Sequence, residues 1–141
     1  MASQRDLAKQ LLQRAGDDEA AAKAMLPVKA VTNAIVGMLA QQGVEKSIKA
    51  VLAARSVDFP FTHDIGGLVR ICNNAGISLP DDLRDVDQLT PYAGALRYDA
   101  EDPKLVDRET ALRWATIAVT WARAQLEAAG EPVVADDEGV D

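Results

Sequence analysis

His63 is the one histidine among 141 residues, and its ring is of the type whose unperturbed pKa lies closest to neutrality. Cleaving a phosphodiester by general acid and base chemistry needs a second group positioned beside it. Arg55 precedes it on the chain, but seven residues and the turn forced by Pro60 lie between the two. No acid/base partner stands at a convincing spacing. His63 is therefore expected at the first turn of a helix, hydrogen-bonding locally.

A second chemically capable group is Glu45, Lys46 and Lys49 in AQQGVEKSIKAVL. Lys46 and Lys49 are three apart and share a helical side, so together they are able to hold phosphate oxygens. The alternative pairs Glu45 with Lys49 one turn on and leaves Lys46 solvated; the residues leave both open. Arg97 and Tyr98 close the segment LTPYAGALRY. A guanidinium there complements a helix end, pairs with Asp64 or Glu45, or clamps a phosphate, while the Tyr98 ring packs inward. Trp114 and Trp121, seven apart, fall nearly on one helical face, which suits core or dimer-interface packing better than base stacking. Cys72 reads as a small buried filler.

No metal or cofactor is expected. Asp81, Asp82, Asp85 and Asp87 gather around a helix start and lack the glycine turn and closing glutamate of a calcium loop. A single cysteine gives neither a disulfide nor a Cys/His zinc cluster. Gly-rich phosphate loops and GxSxG are absent from the sequence.

The elements that position these residues are helices. Hydrophobic residues make up 48% but aromatics only 4%, a balance of alanine-rich packing rather than of a β-sandwich. The length suffices for one core. Net charge is −7, yet EPVVADDEGVD holds five acids and no base, so the remainder is about −2 and a local basic patch stays possible. MASQRDLAKQ lacks the apolar core of a secretory leader, and no run approaches the roughly 18 apolar residues of a spanning helix. The expectation is a cytoplasmic protein with no membrane contact.

Ser3 caps a short first helix that Gly16 stops, and a second short helix ends at Pro27. A long helix from about Val28 to Ala54 carries Val31, Ile35, Met38, Leu39, Ile48 and Leu52 on its apolar side, with Gly37 and Gly43 admitting a neighbouring helix. The next is expected from His63 to Asn74, capped by Thr62 and ended by Gly76. Another restarts at Thr90–Pro91, and the last opens at Asp107 and ends before Gly130. Short connections favour an all-α, antiparallel up-and-down bundle of about five helices over residues 1–129, followed by an acidic disordered tail over 130–141.

RDLAKQLL, AQQGVEKSIKAVL, FTHDIGGLV and LTPYAGALRYDAEDP stand in an order that resembles HEPN-domain proteins. The resemblance implies a helical homodimer that binds a nucleotide, or a minimal nucleotidyltransferase as its partner, within a toxin–antitoxin-type pair. Lys46, Lys49, Arg97 and Tyr98 would then face the ligand. Ribonuclease branches of the family carry an Arg-x4-6-His motif, and no histidine follows Arg97 here. The expected function is thus non-catalytic binding. Its alternatives are an RNA-cleaving toxin using His63 and Arg97 in a cleft across the dimer, and a purely structural interaction module.

Overall fold

The computed structural model describes residues 3–94 and 106–130. Four α-helices make the bundle: α1 (Gln4–Met25), α2 (Asn33–Ala54), α3 (Ile65–Asn74) and α4 (Arg108–Ala128). Two 3-10 helices, Asp81–Leu83 and Val86–Gly94, lie between α3 and α4, and no strand occurs among the described residues. The all-α bundle is as the composition and periodicity require.

Ser3 starts α1 through a reciprocal box, accepting from the Asp6 N–H at 3.0 Å while Asp6 takes the Ser3 N–H. Gly16 does not end the helix, contrary to expectation: α1 is one helix of 22 residues up to Met25. A mid-helix glycine costs about 1 kcal/mol relative to alanine. The burial of Ala15 and Ala22, on either side of it, offsets that cost. Pro27, which cannot continue the helix, follows its last turn.

Thr32 caps α2, its hydroxyl accepting from the Ile35 N–H, so this helix begins five residues later than Val28. Its deepest positions are Val36, Ala40, Val44, Ile48 and Val51, spaced four, four, four and three. Of the expected apolar positions, Ile48 and Leu52 are fully buried. Ile35, Met38 and Leu39 are only half-buried, so the apolar stripe is turned from the expected one in the first half of the helix. α2 packs on α1, α3, α4 and the second 3-10 helix, and is the centre of the bundle.

Cross-helix contacts fix the directions. Lys46 of α2 reaches Asp18 of α1, and Asn33 shares Arg108 with Met25 at the C-terminal end of α1, so these two run antiparallel. Asn33, Gly43 and Arg55 of α2 meet Arg108, Ala115 and Gln125 of α4 in ascending order, so α4 runs alongside α2 in the same direction. α2 is thus antiparallel to α1 and a close parallel neighbour of α4.

Arg108 locks this arrangement. Its Nη1 donates to the Val31 carbonyl and Asn33 Oδ1, and its Nη2 to the Met25 and Val28 carbonyls, at 2.8 to 3.2 Å. One planar fork thus gathers the α1–α2 connection onto the start of α4. A lysine has a single nitrogen and cannot span four acceptors. Arg108→Lys is expected to cost about 1–2 kcal/mol in urea unfolding with an unchanged m value; an unchanged midpoint would remove the clamp from the account.

The segment after α3 departs from expectation. Thr90–Pro91 does not begin a new helix but lies inside the 3-10 helix Val86–Gly94. The Thr90 hydroxyl accepts from the Ile65 N–H instead, capping α3 from outside its own chain neighbourhood. α3 itself begins at Ile65, two residues after His63, and ends with Gly76 at φ +78. Asp107 caps α4 as expected, accepting from the Thr110 N–H at 2.7 Å.

Candidate functional site

Gln41, Glu45 and Lys49 recur every four residues along α2 and therefore form one row of side chains. Gln41 Nε2 donates to Glu45 Oε1 at 2.7 Å, and Lys49 Nζ to Glu45 Oε2 at 2.7 Å. Gln42 extends the row by donating to Gln41 Oε1. Glu45 is only 3% exposed and Lys49 is also buried, so this is an interior ion pair rather than a surface one.

The loop after α2 brings His63 to that row. The Val57 N–H bonds back to the Leu52 carbonyl and the Ser56 N–H to the Ala53 carbonyl, closing α2 with Ser56 left-handed at φ 56. Val57 and Phe59 then turn inward onto the core. Phe61 does not: it is 96% exposed. The Thr62 hydroxyl accepts from the Asp64 N–H, and His63, free of the helix, turns its Nδ1 to Glu45 Oε1 at 3.0 Å. The expectation of a locally bonded His63 in a first helical turn is thereby corrected. Its partner lies on another helix.

Burial alone would raise the Glu45 carboxyl, but hydrogen bonds from Lys49, His63 and Gln41, with the Lys49 charge, outweigh it and hold the group below its ordinary value. It is ionised at neutral pH. An ionised carboxylate only accepts, so Nδ1 of His63 carries the proton in this contact. Nε2, on the opposite edge, makes no hydrogen bond among the described residues. The His63 side chain is 56% exposed, and its ring meets that of Phe61 edge to face with centroids 5.9 Å apart. Lys49 Nζ lies 5.9 Å from both the Phe59 and Phe61 ring centroids.

The sequence candidates thus divide. Glu45, Lys49 and His63 come together. Lys46 turns to α1 and pairs with Asp18 at 2.6 Å, both side chains partly exposed, and does not join the Glu45–Lys49 pair. Arg55 donates to Gln125 of α4, and Arg97 and Tyr98 lie outside the described residues. Trp114 and Trp121 are buried within the chain, the Trp121 indole donating to the Ser78 carbonyl. Gly37 faces the Tyr92 ring, and Gly43 faces Ala15 and Ala115. These two glycines and the tryptophans are therefore spent on packing inside the bundle. Burial pushes the Cys72 thiol up to about 11, which makes it inert at neutral pH. No group of metal-binding side chains, and no helix long and apolar enough to cross a membrane, occurs among the described residues.

Phe61 and Gln41 were missed in the sequence. The alternation of Val57, Phe59 and Phe61 around Pro60 was the available signal for the first, and the row at positions 41, 45 and 49 for the second.

An α-helical bundle with a central helix bearing a buried Gln–Glu–Lys row, clasped by a histidine from the following loop, is the class that fold and site define. The HEPN domain family model matches residues 8–125, and the chain belongs to that family. No curated protein and no solved structure matched in the same comparisons.

Proposed function

We propose that this HEPN protein is a non-catalytic homodimer that binds a nucleotide or a nucleotidyltransferase partner, as one member of a toxin–antitoxin-type pair. The observation that carries this reading is the closure of the charged groups on one another, Glu45 with Lys49 and His63 and Lys46 with Asp18, beside a fully exposed Phe61. Such an edge holds a ring or a partner's apolar side chain. Of the two lysines, Lys49 is locked in the interior. Lys46 and Asp18 are partly exposed, and a pair of that kind is worth little, so Lys46 is free to exchange its carboxylate for a phosphate. Arg97 and Tyr98 complete the proposed ligand set.

The test is calorimetric titration with AMP and ATP. Wild type is expected to bind, and Lys46→Ala to bind ATP several-fold more weakly. Equal affinity in the variant would dismiss Lys46. Sedimentation at micromolar concentration is expected to give twice the chain mass; monomer alone would end the dimer proposal.

One observation favours the ribonuclease alternative: Glu45 gives His63 the carboxylate neighbour that general-base imidazoles use. A cleavage assay on single-stranded RNA separates the two readings. The expected result is no cleavage. Activity lost in both His63→Ala and Arg97→Ala would replace the binding reading with the enzymatic one.

A further inference from the structure

We infer that Phe61 and His63 form a nucleobase subsite, in which a base stacks on the Phe61 ring and donates an N–H to His63 Nε2. This rests on the nucleotide reading above and assigns which part of the nucleotide this edge takes.

Three observations converge. Phe61 spends an aromatic ring on solvent at 96% exposure, while its neighbours Val57 and Phe59 pack on the core. A ring in that position offers a base a full π-face. Next, His63 is not a loose surface imidazole. The buried, ionised Glu45 accepts a hydrogen bond from its Nδ1–H, and Lys49 and Gln41 hold Glu45 in turn. In the neutral ring this fixes the tautomer in which Nε2 is an acceptor, matched to the ring N–H or the amino group on the edge of a base. The two rings lie edge to face with centroids 5.9 Å apart, close enough for one base to meet both.

Charge decides the third point. The Lys49 ammonium is neutralised by Glu45, and Asp58 and Asp64 are exposed on the same loop. Arg70 is already turned to Asp64, at 3.7 Å. A phosphate would be repelled here, whereas an uncharged ring is not. The subsite therefore reads the base and leaves the phosphate to other residues.

The experiment titrates adenosine, AMP and ribose 5-phosphate into the full chain, by calorimetry and by NMR of the Phe61 and His63 aromatic signals. Adenosine and AMP are expected to bind with affinities within a few-fold of each other and to shift both rings, while ribose 5-phosphate shifts neither. Phe61→Ala, an exposed change that leaves the fold intact, is expected to weaken adenosine about tenfold or more; Phe61→Trp is expected to retain it. Imidazole nitrogen shifts of the neutral ring should report the proton on Nδ1, and a proton on Nε2 would overturn the proposal. AMP binding with no adenosine binding, or with Phe61→Ala unchanged, would sink the subsite and leave the nucleotide reading standing. No binding of AMP, ATP or adenosine would sink both.

Discussion

Glu45→Ala is expected to destabilise the protein by about 3–5 kcal/mol, because it strands the Lys49 ammonium in the interior without a counter-charge. Set against a total stability on the order of 5–15 kcal/mol, that loss brings the chain close to unfolding. Burying both charges was costly in the first place, so removing both is a different matter. Glu45→Leu/Lys49→Met, which fills the same space with apolar atoms, is expected to recover most of the loss. Urea unfolding of the two single variants and the double variant measures the coupling. Additive losses would show that the pair does not act as a unit.

The same carboxylate sets an acid limit. Its folded pKa lies below the ordinary 4.5, so in the unfolded chain it binds a proton more readily than in the folded one. The stabilisation is therefore complete above about 4.5 and is lost as pH falls through the lower folded value. Wild-type stability should drop more steeply below that point than that of Glu45→Gln, and parallel acid profiles would contradict the assignment.

Sequence carried the local half of this architecture and little of the long-range half. Ser3, Asp107 and Gly76 act within three or four residues of themselves, and the helix ends they set were readable. Glu45 and Lys49 were readable as a pair for the same reason, being one turn apart. The contact of His63 with Glu45 spans 18 residues and a reversal of the chain, and nothing in residue type or spacing announces it. Lys46 finds Asp18 across 28 residues. Gly16 and Thr90 were misread because local propensity was allowed to decide where packing does: the first sits between buried alanines, and the second spends its hydroxyl on another helix.

Gly37→Ala is expected to destabilise by about 1–3 kcal/mol, although alanine is the better helix former by nearly 1 kcal/mol. A Cβ at this position would overlap Cδ1 and Cε1 of Tyr92. That ring is buried, and its hydroxyl donates to the Val106 carbonyl at 3.0 Å, so it cannot swing aside without giving up a hydrogen bond at its far end. Gly16→Ala supplies the contrast within one protein. Its nearest neighbour would be Arg123 Nη2 at 4.0 Å, so only the propensity gain remains, and a stabilisation of about 0.5–1 kcal/mol is expected. Thermal or urea unfolding should therefore move in opposite directions for two identical substitutions. The cause can be isolated further: in a Tyr92→Ala background the overlap is gone, and Gly37→Ala should turn from harmful to neutral or favourable. If it stays equally harmful there, the glycine is required by the helix backbone itself and not by the ring that lies across it.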